Sequence, residues 1–351
     1  MMFSPFSLDI IPMKRLFLIN FEKDPDELYH GFEPQWFDDP GYGRGLRVVA
    51  WRKDGYVDVY QQPDLPKDDD FSLAAKGLGD LVVQPMAGSY FNVSARGVDT
   101  SFNFTDKAGR EVDVKITEKN PRPTRPFTLL APVGSSSEKP TYFPYYLMHS
   151  FDFVRRSMTE VRVSINGRLH KPDTFPIPLN GSKIYFMRYS NDTFLVNWCP
   201  AYQGPLKPLS TDTPRGMTID ADQTNGEISK VSAKRGEHSV AVSFSPPFPD
   251  VTRIEDKNTL QGQFVMAAEI EEAGIITGTY RANREGNRVQ LEMHPGGGWQ
   301  PKPGTLFLKI LFGAVSIFRS WPKTYLWKAT ITLRPGGEHT MDSGWFRVSA
   351  K

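Results

Sequence analysis

The chain has 351 residues, a net charge of +2 and cationic side chains scattered along its length, which argues against a polyanion such as nucleic acid as partner. A single cysteine, Cys199, excludes a disulfide framework and a cysteine-rich zinc site within one chain. Twenty-nine glycines, 29 prolines and a surplus of Phe and Tyr suit many short strands joined by tight turns, and the length suits two domains.

Taken in order, the N-terminal segment MMFSPFSLDIIPMKR lacks a basic leader region and carries Asp9 among its apolar residues, so it reads as a poor signal peptide. The expected location is the cytoplasm, where the sequons at Asn92, Asn103, Asn180 and Asn191 carry no sugar. A strand is expected at Leu16–Ile19, then a polar and aromatic stretch from Asp24 to Tyr42 with room for one helical turn. The first clear hairpin runs from Leu46 to Tyr60, its two alternating halves flanking Lys53-Asp54-Gly55. Asp68-Asp69-Asp70 sits in an acidic connector, and three further strands are expected between Leu81 and Glu118. A proline-rich link (Asn120 to Pro126) and a serine-rich loop (Gly134 to Pro140) lead to the aromatic segment Tyr142 to Arg156.

From Thr159 to Trp198 the sequence predicts an antiparallel meander. Its signals are the alternating run TEVRVSI, Asn166-Gly167, the strand Ile184–Tyr189, a turn at Ser190-Asn191-Asp192 and a last strand ending in Asn197-Trp198. Four prolines between Pro200 and Pro214 mark the expected boundary, giving domains 1–204 and 205–351. Strands then recur to Val348, with Leu306–Phe312 among them and only Phe312–Arg319 suited to a helix. The apolar run Thr305–Phe318 is too short to span a bilayer and contains Lys309. Its plain reading is core strand, and its sharper one a docking surface for a membrane or partner.

Motifs that carry mechanism are mostly missing: no H-E-x-x-H, no G-x-S-x-G and no Walker loop. Gly41-Tyr-Gly-Arg-Gly45 precedes a strand and reads as a turn, and Asp220–Gly226 reads as a hairpin rather than a calcium loop. No cofactor and no metal are expected. Within Tyr145–Asp152, His149 and Asp152 are the candidates for acid–base work, although a histidine among aromatics is commonly a core residue. Trp51, Tyr60, Tyr185 and Trp198, with Arg188 and Asn197 as sparse polar groups, read either as plain core or as the lining of a ligand pocket.

Two successive antiparallel β-domains rich in Trp and Tyr, the first closing on Asn197-Trp198, resemble the tandem lipocalin-like group. That group includes AttH-like proteins, carotenoid hydratases, tocopherol cyclase and some Diels–Alderases. Here Phe194-Leu195-Val196 stands where the group has acidic and histidine residues, and the hairpin GLRVVAWRKDGYVDVYQQP has the look of an uncharacterised bacterial family. The resemblance implies an all-β protein of two lipocalin-like antiparallel barrels or curved sandwiches in tandem. It further implies a pocket for a small hydrophobic or polycyclic molecule, with cyclase or isomerase chemistry as an extension. A carbohydrate-binding or carbohydrate-active β-protein is the alternative from another class, and an interaction module without a pocket is a third.

Overall fold

The computed structural model describes residues 2–67, 75–132, 137–179, 181–209 and 216–349. Asp68-Asp69-Asp70, part of the serine-rich loop, Asn180 and the end of the Pro200–Pro214 connection lie outside the described residues. Strands make up 58% of the described residues and helices 6%, so the all-β expectation holds. Among the described residues every sheet stays open, with unpaired edge strands, so curved sheets form and closed barrels do not.

The chain forms two compact units. One comprises Pro12–Leu129 and Met148–Phe194, the other Met1–Ile11, Leu130–Leu147 and Leu195–Lys351. Neither coincides with a division at residue 204, because three segments that precede that position group with the C-terminal half.

In the first unit, Met13–Asn20, Tyr29–Asp39, Gly43–Arg52 and Val57–Gln61 follow one another antiparallel across a sheet, and Leu78–Val83 joins Val57–Gln61 in parallel. The supposed helical turn after Asp24 is therefore strand, since Phe32, Pro34 and Trp36 alternate with Glu33 and Gln35 at period 2. A second sheet of five strands has the order Arg168–Leu169, Thr159–Ile165, Glu111–Glu118, Gly97–Thr105, Tyr90–Ser94. One apolar cluster draws on both sheets, including Phe17, Phe32, Tyr60, Phe102, Val114 and Val163. Tyr60 stacks on Phe104 at 4.3 Å between ring centres, and Phe32 meets Phe102 edge-on at 6.5 Å.

The expected meander is not formed. Asn166-Gly167 does turn with positive φ (50° and 79°), but Thr159–Ile165 pairs with Glu111–Glu118 in the five-stranded sheet. Ile184–Trp198 is one continuous strand that pairs with Met13–Asn20 through Met187–Ser190 and with Leu8–Ile11 through Leu195–Trp198. The turn expected at Ser190-Asn191-Asp192 is absent because its polar atoms are satisfied in place: the Ser190 hydroxyl donates to the His149 carbonyl.

In the second unit, eight strands from Met217–Ala221 to Thr340–Arg347 lie in chain order across one antiparallel sheet, and Tyr202–Pro205 adds a ninth at the edge. Its buried face carries Phe264, Trp327 and Trp345, against which Phe143 and Trp198 pack. Leu306–Ala314 is a helix rather than a strand, followed by the short helix Ser316–Ser320. Its composition explains the difference: LFLKILFGA has one β-branched residue, and the Thr305 hydroxyl caps it by accepting from the Leu308 N–H at 3.3 Å.

Candidate functional site

Two of the four rings expected to line a pocket fill cores instead. Tyr60 is 0% exposed, its hydroxyl 2.7 Å from that of Tyr29 and accepting from the Lys107 N–H at 3.1 Å. Trp198 is also 0% exposed, packed edge-on against Phe143 and Phe264, and the Trp345 indole donates to its carbonyl at 3.0 Å. Asn197 is half-buried, opposite Asp9 in the sheet. Asn197 and Trp198 belong to the second unit, whereas Trp51, Tyr60, His149, Asp152, Tyr185 and Arg188 belong to the first. Cys199 is buried and its thiol is pushed up to about 12 by burial, which leaves it inert as a nucleophile.

Asp152 lines a cleft of about 340 Å3 in the first unit, and Tyr185 lines a separate pocket of about 530 Å3; Arg122 and Ser182 border both. The proline-rich link builds one wall. Pro121, Pro123 and Pro126 remove donors and hold the chain extended, and each remaining N–H finds a partner. That of Arg122 donates to Asn120 Oδ1 (3.0 Å), that of Thr124 to the Ala95 carbonyl (2.9 Å) and that of Arg125 to Asp152 Oδ2 (3.0 Å). Leu179 and Ser182, joined by a bridge, also line the cleft, and Gly181 adopts φ 75°.

Asp152 is 7% exposed, and burial raises its pKa despite the N–H donors of Phe153 and Arg125 and the nearby charge of Arg155. Arg155 is held by Glu118 and by the carbonyls of Arg122 and Arg96. Arg122, Arg125, Arg156 and Lys183 stand exposed around the cleft, and among the described residues none forms an ion pair. The Arg156 guanidinium lies 5.7 Å from the centre of the Tyr185 ring. Phe153, Leu179 and Ile184 add an apolar lining. The arrangement can therefore accept an anionic group beside an apolar body.

His149 lies three residues from Asp152 on the same strand but does not line this cleft; its Nδ1 is 2.7 Å from Thr128 Oγ1, and Ser150 beside it has φ 51°. Trp51 and Arg188 share instead a carboxylate that sequence reading passed over. Glu33 is 5% exposed, accepts from Gln35 Nε2 at 2.8 Å and from the Trp51 indole, and is pushed up to about 7 by burial. The same burial brings Arg188 down to about 10, with its guanidinium 4.3 Å from the Phe186 ring and donating to Asn20 Oδ1 at 2.9 Å. The signal was an acid at an alternating strand position.

The second unit carries an open groove of about 1030 Å3 on the polar face of its sheet. Gln263, Thr279 and His294 line one row across three strands, with Arg281 and Glu292 beside it. The Lys323 carbonyl can only accept, so His294 Nε2–H donates to it at 2.9 Å. Among the described residues no group of three or more His, Cys, Asp or Glu could hold a metal ion.

Comparison of the chain with protein-family models, curated proteins and solved structures finds no match.

Proposed function

We propose that the protein binds a small molecule with an apolar body and an anionic group in the cleft of the first unit. The observation that carries this reading is the two unpaired cations Arg122 and Arg125 that line the cleft together with the buried carboxylate of Asp152, with Arg156 and Lys183 on the adjoining pocket that shares Arg122. Guanidinium groups hold a carboxylate or phosphate through paired N–H donors, while Phe153, Leu179 and Ile184 receive the body. With its pKa raised, Asp152 suits proton exchange with the bound molecule, which is what an isomerase or cyclase asks of such a group. The hydrophobic ligand expected from the aromatic content is thus kept as the body and given an acidic end.

Calorimetric titration with matched acids and alcohols, such as naphthoic acid and naphthalenemethanol, tests the reading. The acid should bind about tenfold more tightly or better, one charge-assisted contact's worth. An Arg122→Ser/Arg125→Ser variant should lose that preference. Equal affinity for acid and alcohol, or an unchanged preference in the variant, would overturn the proposal.

The open groove of the second unit favours a second reading, a polar ligand such as an oligosaccharide. Support for it is the row of hydrogen-bonding side chains Gln263, Thr279 and His294. Glycan-array binding that disappears in a Gln263→Ala/His294→Ala variant would favour it over the cleft.

A further inference from the structure

We propose that the helix Leu306–Ala314 is a membrane-docking element that seats the protein on the surface of an anionic lipid bilayer. The helix is anchored to its own unit from one side only. Leu308 and Phe312 are buried, and Phe312 packs with Trp299 and Phe318 at centroid distances of 4.9 and 5.2 Å. The Trp299 indole in turn donates to the Ala273 carbonyl at 2.7 Å. The helix is thus well seated, and its outward side is free.

That outward side is apolar. Leu306 is 75% exposed, Ile310 61% and, just past the helix end, Val315 38%, with Ala314 also exposed. A surface helix ordinarily turns polar residues to water, and one that is apolar all round is covered by something. Lys309 is the only charged residue in the nine.

Charge identifies the cover. Between Glu292 and Glu338 the sequence has no acidic residue and six cations: Lys302, Lys309, Arg319, Lys323, Lys328 and Arg334. Lys302 and Lys328 pair with Glu271 and Glu292, whereas among the described residues Lys309 and Arg319 have no acidic partner. Exposed aliphatic side chains flanked by free cations match the boundary of a bilayer bearing negative headgroups. The aliphatic groups enter the acyl region there, and the lysine stem reaches back to the phosphates. No helix among the described residues is long and apolar enough to cross a membrane, so this element lies on the surface rather than across it.

Flotation of the full chain with vesicles tests the assignment, comparing phosphatidylcholine alone with equimolar phosphatidylcholine and phosphatidylglycerol. Binding to the anionic vesicles should be at least about tenfold stronger. Leu306→Asp/Ile310→Asp should abolish it without moving the melting temperature, because both side chains are already in water. Lys309→Gln and Arg319→Gln should each weaken it about fivefold at low salt and little at high salt. Equal binding to both vesicle types, or none, overturns the proposal. So does self-association that Leu306→Asp/Ile310→Asp dissolves in the absence of vesicle binding, since a second copy would then be the cover.

Discussion

The two units are of similar size and bury different chemistry. Among the described residues, the first unit buries nine charged side chains: Asp26, Glu33, Arg47, Asp58, Asp106, Glu118, Asp152, Arg155 and Asp173. Among the described residues the second buries only Asp250 of its charged side chains and fills its interior with Trp198, Trp321, Trp327, Tyr325 and Phe264. Ring packing is non-directional and tolerant, whereas each buried charge requires its own partners and leaves a costly orphan if one is removed. A fold can be stable without such charges, so their concentration in one unit marks where the molecule holds groups in fixed positions and altered protonation states. The cleft lies in that unit.

The comparison breaks most sharply at Arg155. Replacing it with Met strands the Glu118 carboxylate, which then keeps only the N–H donors of Val98 (3.3 Å) and of residue 155 itself (3.2 Å). The expected loss is about 3–5 kcal/mol by urea unfolding at neutral pH. Burial already holds the Glu118 pKa above the ordinary range, so the loss should shrink as acid protonates the stranded group. A Glu118→Leu/Arg155→Met double variant should recover most of the stability while the Arg122 carbonyl, and with it the cleft wall, loses its tether. Recovery of both stability and ligand preference would mean that the buried pair has no positioning role.

Glu33 gives the next largest effect. Folding raises its pKa from the ordinary carboxylate value to about 7, so the folded protein holds this proton where the unfolded chain has released it. The associated stability is fully present below about pH 4 and is lost as pH rises to about 7. Glu33→Gln should remove this decline and stabilise the protein at pH 8 by roughly 3 kcal/mol, an order-of-magnitude figure. The counter-current comes from Asp38 and Asp54, whose pKa values are lowered by Lys14 and Arg52, and which cost stability only as pH falls through the acid range. A flat profile between pH 5 and 7 in the native protein would refute the shift.

Local signals in the sequence carried much of this fold. Asp54-Gly55 and Asn166-Gly167 turn as their residue types require, with φ of 89° at Gly55 and 79° at Gly167. Failures came where tertiary partners override local grammar. Ser190-Asn191-Asp192 has turn composition, yet it runs straight because the sheet satisfies its polar atoms. Leu306–Phe312 is apolar enough for either period, and length and the Thr305 cap decide it. For the candidate site, Asp152 and Tyr185 were legible as polar or ringed positions on strands. Arg122 and Arg125 were not, because the contact between Arg125 and Asp152 spans 27 residues and exists only once the link is folded down. Glu33 was hidden in the stretch Asp24 to Tyr42, read as polar and aromatic with room for one helical turn.

In the ring-packed unit the comparable test is steric. Gly262 lies opposite Tyr280 across two strands, and a Cβ added there would come within 2.6 Å of the ring. The ring covers the glycine backbone, and its hydroxyl donates to the Pro246 carbonyl at 2.8 Å. Gly262→Ala should cost about 1–3 kcal/mol, with no pH dependence between 5 and 9. Any pH dependence in that difference would show that charge, not packing, governs this unit.

The smallest effect sharpens the comparison from inside the charge-rich unit. Tyr60 is packed like the rings of its neighbour, but its hydroxyl joins a polar network. It meets the Tyr29 hydroxyl at 2.7 Å, Tyr29 donates to Asp58 at 3.1 Å, and Asp58 accepts from Arg52 at 3.1 Å. Burial pushes the Tyr60 phenol up to about 12, so it stays neutral throughout the working range. Tyr60→Phe keeps the stack on Phe104 and removes one hydroxyl, which should cost about 1 kcal/mol in equilibrium unfolding. Tyr29 still has Asp58 as acceptor, and the Lys107 N–H loses the hydroxyl it donates to. A loss of about 3 kcal/mol or more would instead place Tyr60 among the groups whose removal strands a charge, and the network around Asp58 would then act as one cooperative unit.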